Sequence, residues 1–272
     1  MIFAAVVIFA ACALGQPAAA RPPGAATPIA ALQALLRSAR PEPIDGYYFI
    51  NTYSDYYNIR LLYWEFPQDE FDIRVAVQTK ATGNSIEEIR GSQAAIFAVN
   101  GGFFEIDAGK RIDPTGLVIV GGTINPGRRP QSGGSGVLYR RSGSWHIGDI
   151  GELRTRINEM KIEYALQNGP ILVQAGGVRG VRTDNGSAVN RTAICLRDGR
   201  FGVLVVAGEI TLSQLSQLMS LRTDQGGFGC DTALNLDGGQ STQASYLRDG
   251  QPVLIGSDAP PLIANAIVVR HR

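Results

Sequence analysis

Short apolar runs bounded by glycine, asparagine or aspartate dominate the pattern of hydrophobic and polar positions along the chain. Residues 71–79, FDIRVAVQT, alternate apolar and polar side chains, as a strand with one buried face does. Other runs are uniformly apolar, as strands buried on both faces are. They are AAIFAV at 94–99, GLVIV at 116–120, FGVLVV at 201–206 and ANAIVV at 264–269. The pattern predicts a fold rich in strands.

Helices are few, and capping signals announce two of them. Ser85-Ile-Glu-Glu88 and Thr211-Leu-Ser-Gln214 each match a capping box, and the second precedes an apolar stripe at helical spacing. A short helix is also expected at 29–39. The predicted fold class is α+β, a mixed, strand-rich sheet assembly with a few flanking helices in a single domain at 45–272.

The N-terminal region has the composition of an export signal. Residues 2–14 form an uncharged apolar run that is too short to span a bilayer and has the length of a signal-peptide core. We expect a signal peptide at 1–20, an Ala/Pro-rich linker with the short helix at 21–44, and export to the periplasm or the extracellular space without a membrane span. Lipid anchoring at Cys12 is the alternative.

Charge and composition bear on which molecules the protein binds. The chain carries 25 basic and 24 acidic residues, which gives no electrostatic reason to expect nucleic-acid binding. Glycine is in excess, at 33 of 272 residues, against a usual share of about 7%. Such an excess indicates many tight turns or backbone that approaches a ligand closely.

The cysteine and histidine residues give little support for a metal site or for histidine-based catalysis. If the leader is removed, Cys195 and Cys230 remain in an oxidising compartment, where they form one disulfide or stay as two buried thiols. No cysteine or histidine spacing suggests zinc, and no cofactor is required by the sequence, although a divalent cation at Asp237 is conceivable. His146 and His271 lie in no motif, so surface or packing roles are expected for both.

One pattern occurs three times and marks the candidate site. An apolar run ends in Asn or Asp followed at once by glycine: AIFAVNGG at 95–102, YALQNGP at 164–170 and ALNLDGG at 233–239. Each such elbow leaves a short polar side chain at a strand end and backbone N–H groups open to an anion or a sugar. Alone, each is an ordinary turn; side by side, the three would form a polar pocket.

Two charged residues stand out near these elbows. Asp237 ends the apolar segment ALNL and could act as a base, a nucleophile or a metal ligand. Arg191 begins a strand after a flexible loop, and its planar fork suits phosphate or carboxylate, with a structural salt bridge as the alternative. Walker A, GxGxxG and GxSxG motifs are absent, which leaves NTPase, dinucleotide-binding and α/β-hydrolase functions without support.

Six ordered motifs resemble those of the phosphodiester glycosidase family, over about residues 70–270. They are NGGFF at 100–104, the Pro114–Gly116 turn before LVIV, GGSG at 133–136, QNGPILV at 167–173, NRTAI at 190–194 and GCDTALNLDGGQST at 229–242. In the last motif, Gln240 stands where the family usually has a small residue. The resemblance implies hydrolysis of a sugar-1-phosphodiester at the anomeric carbon, with a phosphorylated glycan as the partner molecule.

The resemblance and the residue chemistry together suggest roles. Arg191 would bind the phosphate, and Asp237 would activate water or stabilise the oxocarbenium-like centre. Glu105 and Glu209 are candidates for a second carboxylate, and whether the reaction inverts or retains stays open. The expected substrate contacts are Asn100, Gly101, Gly102, Asn168, Gly169, Gly238, Gly239, Ser241 and Thr242.

Two alternatives accompany this hypothesis: a module that binds phosphorylated glycans without turnover, and a purely structural envelope protein. A tyrosine cluster precedes the motif region and could stack on a sugar face, although packing over the sheet is the expected use. The cluster comprises Tyr47, Tyr48, Tyr53, Tyr56 and Tyr57.

Overall fold

A computed structural model describes residues 6–7, 28–125, 127, 133–184, 186–257 and 259–272 of the chain. The expected leader and the Ala/Pro-rich linker lie outside the described residues, apart from Val6–Val7. In the described part of the chain, no helix is long and apolar enough to cross a membrane.

Twenty-one strands and four α-helices form the described structure. The strands are β1 Val6–Val7, β2 Glu42–Ile44, β3 Tyr47–Ser54, β4 Ile59–Pro67, β5 Phe71–Val77, β6 Phe97–Asn100, β7 Phe104–Ile106, β8 Ile112–Pro114, β9 Val118–Val120, β10 Thr123–Asn125, β11 Gly136–Arg141, β12 Ser144–Asp149, β13 Tyr164–Asn168, β14 Ile171–Gln174, β15 Val178–Arg179, β16 Val189–Arg197, β17 Arg200–Ile210, β18 Thr232–Asn235, β19 Ala244–Arg248, β20 Gln251–Ile255 and β21 Asn265–His271. The helices are α1 Pro28–Ser38, α2 Ile86–Ser92, α3 Ile150–Arg156 and α4 Leu212–Ser220, and two short 3₁₀ turns span Thr223–Gln225 and Gly239–Ser241.

Three sheets and a small hairpin arrange these strands. The eight-stranded sheet has the order β15-β14-β18-β16-β17-β4-β3-β2, the six-stranded sheet β1-β20-β19-β6-β21-β5, and the five-stranded sheet β10-β9-β13-β11-β12, while β7 and β8 form the hairpin. Every described pairing is antiparallel except that of β1 with β20. The predicted α+β, strand-rich, single-domain class is confirmed.

One core lies where the three sheets meet, and it contains the largest buried side chains. Trp64 of the eight-stranded sheet contacts Phe97 and Tyr246 of the six-stranded sheet, with ring centroids 5.0 and 5.4 Å apart. Leu138 and Leu166 of the five-stranded sheet belong to the same cluster. Because apolar side chains from all three sheets fill this centre, their strand ends are held in fixed relation around it.

The helices cover the outer faces of the sheets. Helices α1 and α4 pack apolar side chains on the eight-stranded sheet, α2 on the six-stranded sheet and α3 on the five-stranded sheet. Both predicted capping boxes are present, at Ser85 and at Thr211. Helix α3 was not among the predicted elements; its N-cap Asp149 accepts hydrogen bonds from the N–H groups of Gly151 and Glu152.

A disulfide joins Cys195 on β16 to Cys230 just before β18, with the two Cα atoms 5.4 Å apart. Of the two possibilities left open by the sequence, the structure contains the bonded pair. Because β16 and β18 are also hydrogen-bonded neighbours, the bridge ties together the two strands that lead to Arg191 and Asp237.

Candidate functional site

The structure brings the three strand-end elbows together. The N–H of Asp237 donates to the carbonyl of Gly101 over 3.1 Å. The side-chain amide of Asn100 donates to the carbonyl of Asp237 over 2.8 Å, and that of Asn168 to the carbonyl of Gly101 over 3.4 Å. The elbows after β6, β13 and β18 therefore form one junction, to which all three sheets contribute.

Asn100 is the centre of this junction. Its side chain is 1% exposed, and its Oδ1 accepts from the Thr192 hydroxyl at 2.8 Å and from the N–H of Gln243 at 3.1 Å. Since its amide also donates to Asp237, Asn100 fixes the backbone on which the candidate carboxylate stands. These contacts give Asn100 a positioning role; a direct contact with substrate stays a prediction.

Asn168 has a similar environment. It is fully buried, and its Oδ1 accepts from the N–H of Gly169 at 3.0 Å. The GGSG loop packs against this elbow: a Cβ on Gly134, where φ is +97°, would lie 2.4 Å from the Asn168 carbonyl carbon. Glycine is required there, so this motif is a packing element of the site.

Asn265, at the start of β21, holds the first elbow in place and was not among the predicted residues. It accepts from the N–H groups of Gly101 at 3.0 Å and of Gly102 at 2.6 Å. A Cβ on Gly101 would lie 2.1 Å from the Asn265 Oδ1, so only glycine allows this approach. The only local signal for this role is an asparagine at the start of an apolar run.

The N–H groups of four elbow glycines donate within the protein. Those of Gly101 and Gly102 bind Asn265, that of Gly169 binds Asn168, and that of Gly238 binds Asp237. At Gly239 the space where a Cβ would stand is open. The contacts expected between the first four glycines and a ligand therefore stay predictions, and any phosphate site has to draw on other donors.

The carboxyl group of Asp237 is partly buried and held on both sides. Its Oδ1 accepts from the N–H of Gly238 at 2.9 Å, and the Ser241 hydroxyl donates to the same carboxyl group. Burial raises the pKa of Asp237 to about 6, because desolvation outweighs these two hydrogen bonds. A carboxyl group with a pKa near neutrality exchanges protons readily at physiological pH.

Arg191 lies beside the residue that follows Asp237. A Cβ on Gly238 would be 3.7 Å from both the Cδ and the Nη1 of Arg191. Its Nε donates to the carbonyl of Ile210 and its Nη2 to that of Ser187, at 3.3 and 2.6 Å. Desolvation lowers its pKa, and among the described residues no carboxylate forms a salt bridge with it. Arg191 thus carries a positive charge held by neutral carbonyls.

The two candidate second carboxylates lie in different places. Glu209 is exposed near the end of β17, next to Ile210, whose carbonyl accepts from Arg191. Glu105 is half-buried on the β7–β8 hairpin, paired in register with Asp113. Glu209 is therefore at the same end of the eight-stranded sheet as Arg191, whereas Glu105 is on a separate element.

Four of the nine buried side-chain polar atoms without a hydrogen-bond partner, among the described residues, belong to segments that form the junction or adjoin it. These four are Asn235 Oδ1, Thr242 Oγ1, Gln243 Oε1 and Asn265 Nδ2. Leaving a buried polar atom unpaired costs about 1–3 kcal/mol.

The described residues contain no group of three or more His, Cys, Asp or Glu side chains placed to hold a metal ion. A divalent cation at Asp237 stays a prediction.

Comparison with known proteins agrees with the motif arrangement. The profile of the family described as phosphodiester glycosidase matches residues 93–270. No curated protein matches the chain.

Two solved structures have a similar fold. The zebrafish N-acetylglucosamine-1-phosphodiester alpha-N-acetylglucosaminidase catalytic domain, auto-inhibited by its pro-peptide, aligns with a TM-score of 0.62 at 15% identity, over 86% of this chain and 84% of that one. A hypothetical protein from Synechocystis aligns with a TM-score of 0.54 at 14% identity, over 86% of this chain and 64% of that one. At these identities the likeness concerns the fold alone.

The family profile covers the segment that contains all three elbows, Arg191 and Asn265. The likeness to the zebrafish domain extends over most of both chains. From the match over residues 93–270, the chain belongs to the phosphodiester glycosidase family.

Proposed function

We propose that this protein hydrolyses a sugar-1-phosphodiester at the anomeric carbon, giving a free sugar and a phosphomonoester. The observation that carries the proposal is the position of Arg191: a guanidinium without an acidic partner among the described residues lies against Gly238, directly after the perturbed carboxyl group of Asp237. Family membership supports the same reaction class.

In this proposal the two charged groups act on opposite ends of the scissile bond. Water attacks the anomeric carbon, and the bond between that carbon and the phosphate oxygen breaks, with its electron pair passing to the phosphate. The Asp237 carboxylate accepts the proton that the attacking water loses. Arg191 stabilises the negative charge that develops on the departing phosphate. Because a phosphomonoester leaves easily at neutral pH, the leaving oxygen needs little help from an acid.

The remaining residues support these two. Asn100 and the Gly238 N–H hold Asp237, while the Ile210 and Ser187 carbonyls hold the guanidinium with the Nη1 side towards Gly238. Ser241 donates to the carboxyl group and would pass this hydrogen bond to water or sugar as substrate binds. Glu209 is the better-placed second carboxylate, since it adjoins the residue that anchors Arg191.

We further propose that the substrate is an envelope or extracellular glycan, met by the protein after export. This part of the proposal rests on the apolar N-terminal run.

The test is turnover of N-acetylglucosamine-1-phosphodiesters and mannose-1-phosphodiesters, followed by ³¹P NMR. Wild-type protein should release phosphomonoester, and Asp237→Asn should release none. We expect Arg191→Ala to lower kcat/KM about 100-fold, as loss of one oxyanion donor does. Arg141→Ala, which removes an exposed arginine on β11, is the matched control and should keep wild-type activity.

A pH series adds a second readout. Only the ionised carboxylate can accept a proton, so wild-type kcat/KM should rise with pH through about 6, the pKa of Asp237. Wild-type rates in Asp237→Asn would remove this residue from the mechanism. Saturable binding of the diesters with no product would instead identify a phosphoglycan-binding module without catalysis.

A further inference from the structure

The tyrosines that precede the motif region separate into three environments. Tyr47 is buried in the central core, and Tyr48 faces outward at the start of β3 under the Arg200 guanidinium, 5.4 Å from its ring centroid. At the other end of β3, Tyr53 and Tyr56 are 45% and 55% exposed. Two large exposed aromatic rings therefore lie at one end of the eight-stranded sheet.

Strand register places these rings at the same sheet end as the candidate site. Tyr53 pairs with Arg60, and Arg60 pairs with Ala207. The next residue, Gly208, donates its N–H to Asn190 Oδ1 at 2.8 Å, and the Asn190 carbonyl lies 2.9 Å from the place of a Cβ on Gly238. One cross-strand row therefore runs from Gly238 to Tyr53 across β16, β17 and β4.

The length of this row follows from the number of strands that it crosses and from the spacing between them. Four steps between neighbouring strands separate β18 from β3. At about 4.8 Å per step, Tyr53 lies about 19 Å from the Asp237 end of the row. That distance is too great for contact with the sugar at the reaction centre and corresponds to several units along an extended glycan.

Both exposed rings are held by their neighbours. The Tyr53 hydroxyl donates to Asn58 Oδ1 at 2.8 Å, and Tyr56 packs edge-on against Tyr57 with centroids 4.7 Å apart. Gly208, at φ +129°, lets the β3–β4 turn approach β17, because a Cβ there would be 2.7 Å from the Asn58 carbonyl. Rings fixed in advance lose little entropy when a ligand stacks on them.

The row also contains a second cation. Arg60 lies between Tyr53 and Ala207, and its Nε donates to Asn51 Oδ1 at 2.9 Å. Among the described residues no carboxylate forms a salt bridge with Arg60. An aromatic ring beside such a cation suits a sugar unit that carries a phosphate.

We propose that the sheet end from Gly238 to Tyr53 and Tyr56 is a glycan-binding edge, and that the substrate is a polymeric phosphoglycan rather than a single sugar phosphodiester. This inference rests on the proposed function, because it assumes that the bond to be cleaved lies at Asp237 and that the glycan extends from there towards Tyr53. Sugar units distant from the cleaved bond stack on Tyr53 and Tyr56, and a distant phosphate binds Arg60.

The test compares a dimer and a hexamer of N-acetylglucosamine joined by 1-phosphodiester bonds. Wild-type kcat/KM should be higher for the hexamer, and Tyr53→Ala should lower the hexamer-to-dimer ratio about 5- to 10-fold, the effect of losing one stacking contact. Tyr53→Phe keeps the ring and should restore most of the ratio. Tyr48→Ala, an exposed tyrosine on the same strand at the opposite end, is the matched control and should leave the ratio unchanged.

Binding separates failure of this inference from failure of the catalytic proposal. If no variant turns over either oligomer, calorimetric binding of the hexamer is measured instead, and weaker binding by Tyr53→Ala than by Tyr48→Ala would support the edge. Equal kcat/KM for the two lengths in wild type, or equal hexamer affinity in the two variants, would overturn it.

Discussion

Asp237 shows how one residue couples stability to chemistry. Its pKa of about 6, against an ordinary value of 3.8, means that the folded protein favours the neutral carboxyl group. At neutral pH the group is nevertheless ionised, and the proposed reaction needs that form. The protein therefore keeps an ionised group where burial disfavours it, a pattern that functional sites share.

This environment predicts that Asp237→Asn stabilises the protein at neutral pH. Because the folded-state pKa is raised, the carboxyl group destabilises the fold increasingly as pH rises from about 4 to 6, and fully above that. The variant should gain about 2–3 kcal/mol at pH 7.5 and nothing at pH 4, measured by urea unfolding. Asp249→Asn, on an exposed turn, is the control. A stability gain that is equal at both pH values would contradict the burial effect.

Some residues of the site could be identified from the sequence, and others could not. Asp237 and Arg191 could be identified because each stands at the boundary of an apolar run, which is a local signal. The inward orientation of Asn100 could not, since its partners Thr192, on β16, and Gln243, just before β19, are distant from it in the sequence. Asn265 was missed for the same reason: its contact with Gly101 and Gly102 depends on the pairing of β21 with β6.

At the scale of elements, caps and apolar runs were predictable and strand order was not. The capping boxes of α2 and α4 depend on residues three positions apart, so the sequence contains them in full. Helix α3 follows β12 directly, and its N-cap is Asp149 rather than the serine or threonine of the other two caps, so the boundary between strand and helix was not evident from the sequence. The glycan-binding edge depends on β4 lying between β17 and β3, which no local pattern specifies.

Helix α4 offers a test of one cap. Thr211 Oγ1 accepts from the N–H of Gln214 at 3.2 Å, and Gln214 Oε1 accepts from the N–H of Thr211 at 3.0 Å. Thr211→Ala should cost about 1 kcal/mol of unfolding free energy, whereas Thr211→Ser keeps the hydroxyl and should cost less than half of that. Chemical denaturation of both variants checks this. Equal losses would mean that the methyl group, and not the cap, matters.

At the scale of the whole molecule, three sheets share one core and meet again at the elbows. The central cluster has members from all three sheets, and so does the junction of Asn100, Asn168 and Asp237. Because the three elbows are hydrogen-bonded to one another directly, a distortion of any one sheet would displace residues of the site.

The disulfide contributes to the stability of this assembly. It closes a loop between positions 35 residues apart, which is worth about 3–4 kcal/mol in the chain-entropy account. The double variant Cys195→Ala/Cys230→Ala should lose about that amount in urea unfolding. Reduced wild-type protein serves as the control and should match it closely. A double variant as stable as the oxidised wild type would show that the strand pairing of β16 with β18 suffices without the bridge.

The position of β21 between β6 and β5 also makes the site depend on pairing between distant parts of the chain. The six-stranded sheet joins residues as distant in sequence as Arg270 and Asp72, 198 positions apart, and such non-local pairing is slow. Until β21 pairs with β5 and β6, the N–H of Gly101 lacks the Asn265 carbonyl as its acceptor, and the N–H of Gly102 lacks the Asn265 side chain. A chain in which β21 has not paired with β6 therefore lacks the contacts that hold the first elbow in place.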